Sequence, residues 1–273
     1  MTTDTTAGSA QPIEPLDVTT EDGIAWVRLN RPDAMNALDN ALKDALVREL
    51  RRVADDADVR CVVLTGTGRA FCVGQDLKEH VQSLSDPTSN LGTTVEEHYN
   101  VIVTLLATMN KPVVAALNGV AAGAGLSFAL ACDFRIAVDS ASLNTAFAGI
   151  ALSCDSGASW SLPRLVGTAK AKELLLFPRS VPAPEALELG LLTKVVAADE
   201  LEASARELAT TLAHGPTLAY GSIRRAIAHS AASSLEEALA NEGRLMSLTG
   251  QTEDHRIAVD AFLAKEKPAY RGR

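Results

Sequence analysis

A chain of 273 residues, 47% of them hydrophobic, is long enough for one large domain with a sizeable core, or for a domain with an appendage. The net charge of −9 argues against non-specific nucleic-acid binding, while leaving room for a local basic patch toward a phosphorylated ligand. No apolar run is long enough to cross a membrane, and residues 1–14 lack the basic start and apolar core of a secretory signal. They read as a disordered tail. The four cysteines (Cys61, Cys72, Cys132, Cys154) form no CxxC pair and sit among apolar or small residues, as expected of reduced packing groups in a cytoplasmic protein. The five histidines (His80, His98, His214, His229, His255) are scattered, with no metal-ligand spacing.

In chain order, Leu16–Thr20 and Ile24–Asn30 flank the turn Glu21-Asp22-Gly23 and predict a hairpin. A helix follows, capped by Asp39 or Asn40, with Leu42, Leu46, Leu50 and Val53 as its apolar stripe. Arg60–Thr65 reads as a buried strand that leads to a bend at Gly74. The polar stretch Ser83–Thr94 predicts a mobile loop. Val95–Met109 predicts a helix, Pro112–Leu117 a buried strand, and Leu126–Ala131 an apolar helix. Phe134–Val138 and Ala141–Ala146 are further strands, followed by helices over Ser156–Leu165 and Lys170–Leu176. Beyond a short helix at Pro184–Leu189 and an extended Leu191–Val196, the rest is helical: Ala198–Ala213, Pro216–Ser230, Leu235–Gly250 and Glu253–Lys265. Strands alternating with helices, then helices alone, predict an α/β core (residues 15–200) with a helical C-terminal region (201–273).

Two stretches carry the chemistry. In KPVVAALNGVAAGAGLSFALACD (Lys111–Asp133), a strand feeds a helix through small residues, which leaves helix N-terminal N–H groups available to a negative oxygen. Close packing of helix on sheet explains the same residues. In GRAFCVGQDLKEH (Gly68–His80), a second strand also bends at a glycine. Two convergent N–H groups are what an oxyanion hole needs. With VRLNRPDAMNAL and GASWSLPRLVG, the pair resembles the crotonase superfamily, the enoyl-CoA hydratase/isomerase family, from about Val18 to the C-terminus. The segments FCVGQDL, NGVAAGAG and AVDAFLAKEKPAYRGR are most similar to family members that isomerise ring-epoxide acyl-CoA thioesters.

The resemblance implies a ββα spiral whose helical C-terminal region assembles trimers or dimers of trimers. It implies an acyl-CoA thioester as substrate, with coenzyme A arriving as part of it and no permanently bound cofactor or metal. The thioester oxygen would sit between the N–H groups of Gln75 and Ala124. Gly74, Gly123 and the main chain at Ala70, Phe71 and Val73 would let the substrate approach, and Ala34 and Met35 would line the other side. Lys78 would reach a CoA phosphate or simply stand in solvent. Leu77 and Asp76 complete the segment, and Asp76 also reads as a turn residue. Phe262, Lys265 and Lys267 would close over CoA.

The acid/base residues depart from the hydratase pattern. Where hydratases carry two glutamates, this chain has Ser127 and Phe147. A serine without a partner is a poor base at neutral pH, and phenylalanine has no proton to transfer. Asp155, in ALSCDSGASW, stands where several double-bond-shifting relatives carry an acid. Burial would raise its pKa, and an N-cap role for the next helix fits its spacing too. One carboxylate with an enolate hole describes an isomerase, and Phe147 with Trp160 would form an apolar wall or core filler. The alternatives are an enoyl-CoA hydratase using Asp155 and a serine-held water, a non-catalytic acyl-CoA binder, and an RNA-binding relative, which the acidic balance disfavours.

Overall fold

The structure is a computed structural model and describes residues 14–85 and 90–273. The expected N-terminal tail (all but Glu14) and part of the expected Ser83–Thr94 loop lie outside the described residues. Strands β1 (Leu16–Glu21) and β2 (Ile24–Leu29) form the expected hairpin, with Asp22 and Gly23 both at positive φ in the turn. That pair of left-handed residues matches the twist of the flanking strands. Helix α1 (Asn40–Asp55) starts where Asp39 accepts the Leu42 N–H at 2.9 Å, and it buries Leu42, Leu46, Leu50 and Val53.

Three strand–strand–helix units follow. The first is β3 (Cys61–Gly66), β4 (Ala70–Cys72) and α2 (Leu77–Leu84). After α3 (Leu91–Thr94), one π-helical turn at Val95–Tyr99 and α4 (Asn100–Thr108) comes the second unit. It comprises β5 (Val113–Leu117), β6 (Val120–Ala122) and α5 (Ala124–Ala131). The third is β7 (Phe134–Val138), β8 (Ser142–Asn144) and α6 (Ala158–Leu176). The chain then adds β9 (Val181–Pro182), α7 (Ala183–Glu188) and β10 (Lys194–Val196).

The first strand of each unit joins a six-stranded sheet ordered β1-β2-β3-β5-β7-β10, and the second joins a four-stranded sheet ordered β4-β6-β8-β9. This is the expected ββα spiral. Val62, Val63, Leu64 and Val113–Ala116 are buried on both faces of the larger sheet, as parallel strands covered on both sides require. The C-terminal region is helical, as expected: α8 (Leu201–Ala213), α9 (Thr217–Ser230), α10 (Leu235–Thr249) and α11 (Glu253–Ala264). Helix α8 packs on β3, β5 and β7.

Several elements differ from the reading of the sequence; among them α3 lies within the expected Ser83–Thr94 loop, and no strand is expected where β9 forms. Strand β4 is only three residues long, too short for a period-2 signal. Helix α2 occupies a stretch with no helix expected, and its apolar Leu77, Val81 and Leu84 face solvent rather than the core. Helix α5 starts at Ala124, two residues before the expected Leu126. The two helices expected on either side of Gly167 abut there, where φ is +76°.

Candidate active site

Strand β4 ends at Cys72, and the chain turns at Gly74 with φ +86°. The Leu38 N–H donates to Gly74 O at 2.8 Å and the Asp76 N–H to Leu38 O at 3.2 Å, so Leu38 and Gln75 form an isolated parallel bridge. In a parallel pairing Leu38 uses the groups of the residues on either side of Gln75, and the Gln75 N–H points the other way. It donates to no acceptor among the described residues.

The second turn faces the first. Gly123, at φ +52°, anchors β6 by donating its N–H to Asn144 O at 3.0 Å, and α5 begins at the next residue. The first N–H of a helix has no intrahelical partner. That of Ala124 likewise donates to no acceptor among the described residues. A Cβ placed on Gly74 would lie 3.1 Å from Ala122 O and 3.5 Å from Ala124 N, so the two donor-bearing turns are in van der Waals contact. A Cβ on Gly125 would lie 2.6 Å from Cys72 Sγ, so only glycine lets α5 press its N-terminus against β4. On Gly123 a Cβ would meet nothing within 4 Å, which leaves that side open to a ligand.

Tyr99, 2% exposed, holds the first turn from behind. Its O–H donates to the Gln75 side-chain oxygen, and its ring packs edge-on against Phe128 of α5 at 5.9 Å. Burial, and secondarily the charge of Asp155, push the Tyr99 phenol far above its usual range, so it stays a neutral donor. Asp155 opens a turn in which Ser156 and Gly157 are both left-handed, at φ +51° and +73°. A left-handed serine is a strained residue of the kind that gathers at functional sites. A Cβ on Gly157 would lie 3.2 Å from Val103 Cγ1, which seats the turn on α4. Burial raises the Asp155 pKa, and a 2.7 Å hydrogen bond from the Ser156 hydroxyl partly opposes it. The alternative capping role is not what the side chain does: α6 begins at Ala158 with Gly157 as its N-cap.

Ser127 and Phe147, which stand where the resemblance implies glutamates in hydratases, supply no base. Ser127, 2% exposed, donates its hydroxyl to Gly123 O at 3.1 Å. Phe147 lines an apolar cavity of about 440 Å³ with Leu152, Cys154 and Leu175. Trp160 does not join that wall. It stacks under Arg164 and lines a different cavity with Arg224 and Asp133. Cys72, beside the hole, is a packing group whose thiol burial pushes up to about 12.

Of the other residues read from the sequence, Asp76, Leu77 and Lys78 continue from the first turn, and Ala34 and Met35 are tied to the strand that leads into it. Asp76 is buried and caps α2: its carboxylate accepts the Lys78 N–H at 2.9 Å and Arg31 Nη1 at 3.0 Å. Burial alone would raise its pKa, but these bonds outweigh it and hold the group below the usual range. Ala34 and Met35 sit in a tight turn tied to β4 by Asn36, whose side chain donates to Thr67 O at 3.0 Å and Ala70 O at 2.8 Å. Asn118 donates to Ala70 O as well, at 3.0 Å. Val73 is half-buried, and Leu77 and Lys78 are exposed on the first turn of α2. Lys78 forms no ion pair among the described residues. Phe262, Lys265 and Lys267 are exposed at the end of α11. Tyr99, Asn36 and Arg31 are the site residues the sequence reading missed. Each acts through long-range hydrogen bonds or ion pairs, which no local pattern announces.

Comparison with known proteins places the whole chain in a family. The family model described as enoyl-CoA hydratase/isomerase matches residues 19–273. The chain is 40% identical to the 1,2-epoxyphenylacetyl-CoA isomerase of Escherichia coli strain K12, covering 93% of this chain and 97% of that protein. Among solved structures, the enoyl-CoA hydratase from Bacillus anthracis superposes with a TM-score of 0.89 at 33% identity, covering 95% of this chain and 100% of that one. An enoyl-CoA hydratase from Polaromonas sp. JS666 superposes with a TM-score of 0.88 at 31% identity, covering 94% and 99%. On these matches and this fold, the chain belongs to the enoyl-CoA hydratase/isomerase family.

Proposed function

We propose that the chain is an isomerase of acyl-CoA thioesters, with Asp155 as the single acid/base. The observation that carries the reading is the environment of three side chains. Asp155 is held in a partly buried, strained turn seated on α4, while Ser127 is tied to Gly123 O and Phe147 is apolar. The thioester oxygen accepts the N–H groups of Gln75 and Ala124. Asp155 takes a proton from the alpha carbon, and the electrons of that C–H bond spread into a dienolate whose oxygen rests in the hole. The same proton returns to the gamma carbon, and the double bond moves from beta–gamma to alpha–beta. Nothing is oxidised, so coenzyme A enters only as part of the substrate and no bound cofactor is required. One hole donor contributes roughly 2.7–4 kcal/mol to such a step.

The name of the Escherichia coli relative makes a ring-epoxide thioester, and with it aromatic degradation, the first substrate class to try. Exposed Leu235, Leu239, Met246, Phe262 and Leu263 on the terminal helices support assembly into a trimer or a dimer of trimers. Hydration is the second reading, because the Ser156 hydroxyl stands 2.7 Å from Asp155 and the pair offers a water two anchors.

The test runs a 3-enoyl-CoA and a 2-enoyl-CoA side by side with wild type and Asp155→Asn. Isomerisation of the 3-enoyl substrate falls by about 10²–10⁴-fold in the variant while acyl-CoA still binds. Brisk hydration of the 2-enoyl substrate by wild type would overturn the isomerase reading, and binding without any turnover would leave an acyl-CoA-binding protein.

A further inference from the structure

Gln75 also lines a half-open cavity of about 390 Å³, together with residues of α1, α2 and the stretch 90–98. Among the described residues its lining has one apolar member, Leu91; Lys43, Glu79, Asn90, Thr94 and His98 are typical of the rest. Lys43 is 1% exposed. Its Nζ donates to Thr94 Oγ1 at 2.8 Å and stands 3.9 Å from Glu79 Oε2. Both Glu79 oxygens already accept the Asn40 N–H at 3.0 Å, and Thr94 Oγ1 is shared with His98 Nδ1 at 3.4 Å. An ammonium has three donors, so this buried cation is only partly satisfied by the described residues. Burial lowers its pKa, although Glu79, Asp39, Asp44 and Asp76 all pull the other way. A half-paired buried cation is costly, and an oxygen brought to it by a ligand would relieve that cost.

The cation is linked to the first turn through Tyr99 and the Gln75 side chain. Lys43 Nζ lies 6.0 Å from the centre of the Tyr99 ring, and the Tyr99 O–H reaches the Gln75 side chain. We propose that this cavity receives the far end of the acyl group and selects one that carries a neutral oxygen, a hydroxyl or keto group, bound by Lys43. A carboxylate fits less well, because Glu79 and Glu97 both line the cavity against a single lysine. An aliphatic end would leave the polar lining unsatisfied. The inference rests on acyl-CoA binding at the Gln75–Ala124 hole, but not on which reaction follows.

The experiment measures binding by calorimetry, so turnover does not enter. The probes are hexanoyl-CoA, its terminal-hydroxy analogue and its terminal-carboxylate analogue, each with wild type and Lys43→Met. Wild type binds the hydroxy compound about tenfold tighter than hexanoyl-CoA, as a hydrogen bond to a charged donor implies. The carboxylate compound gains nothing over hexanoyl-CoA. Lys43→Met brings the hydroxy and methyl compounds to within about twofold of each other. Equal affinity for these two in wild type would overturn the inference without any variant. So would a preference that survives Lys43→Met, or tightest binding of the carboxylate compound. If none of the three binds, the acyl-CoA reading itself falls, and this site with it.

Discussion

Replacing Gly74 by alanine asks whether main chain, rather than side chains, builds the hole. Gly74 sits at φ +86°, and a new methyl would stand 3.1 Å from Ala122 O and 3.5 Å from Ala124 N. Both are backbone atoms and cannot rotate away. The left-handed conformation costs an L-residue about 1–2 kcal/mol. Relieving the crowding adds up to about 1 kcal/mol of bond-angle distortion. At roughly 2–4 °C per kcal/mol for a chain of this class, the melting temperature falls by about 2–12 °C. The larger effect is on rate. The methyl can be accommodated only by opening the Gln75 turn away from α5, which misdirects a donor and lowers kcat by about 10²–10³-fold. Gln75→Ala is the control, because it keeps the N–H and removes only the side chain; its kcat stays within about tenfold of wild type. The assay pairs thermal melting with turnover of an acyl-CoA substrate. A Gly74→Ala enzyme with the lower melting temperature but wild-type kcat would refute the main-chain hole.

Four further outcomes follow from the site. Because burial raises the Asp155 pKa, the acid limb of the kcat/KM profile lies above the ordinary aspartate value of 3.8. The same shift has a stability sign: folded Asp155 binds protons more tightly than unfolded Asp155, so stability is lost as pH rises from the unfolded to the folded pKa. Asp155→Asn therefore raises the melting temperature at neutral pH and loses that gain below the ordinary carboxylate range, as a melting series against pH reads directly. Tyr99→Phe leaves the partly buried Gln75 oxygen without its donor and lowers kcat by up to about tenfold, with little change in KM, in steady-state kinetics. Asn36→Ala removes a fully buried left-handed residue that ties the Met35 turn to β4; chemical denaturation shows a loss of about 3 kcal/mol or more.

Much of this architecture is legible because local and global signals agree. Asp39 caps α1, and the stripe Leu42-Leu46-Leu50-Val53 then faces the core. Gly74 and the small residues around Gly123 announce two turns, and the structure brings those turns into contact. What the sequence conceals is governed by distant partners. Strand β4 exists because Ala70 and Cys72 pair with β6, not because Ala-Phe-Cys favours a strand. Helix α2 carries a helical spacing in Leu77, Val81 and Leu84, but the apolar side points outward and the charged residues between obscure it. Trp160 looked like a partner for Phe147 by sequence proximity, yet they line different cavities. Arg31 reads as a turn residue beside Pro32, and only the folded chain sets its guanidinium against Asp76 and Asp39.

A hole made of backbone has a consequence for how such chemistry changes over time. In the proposed site the groups that would steady a thioester enolate are written in no side chain, so almost any replacement at Gln75 or Ala124 except proline retains the donor itself. The groups that would decide the product sit elsewhere, at Ser127 in α5, at Phe147 after β8, and at Asp155 before α6. The costly part of the catalyst and the part that sets its outcome can therefore drift independently. One carboxylate gained or lost redirects the intermediate without dismantling the frame that makes it. That separation lets a single scaffold carry proteins named as isomerases and as hydratases at 31–40% identity to this chain.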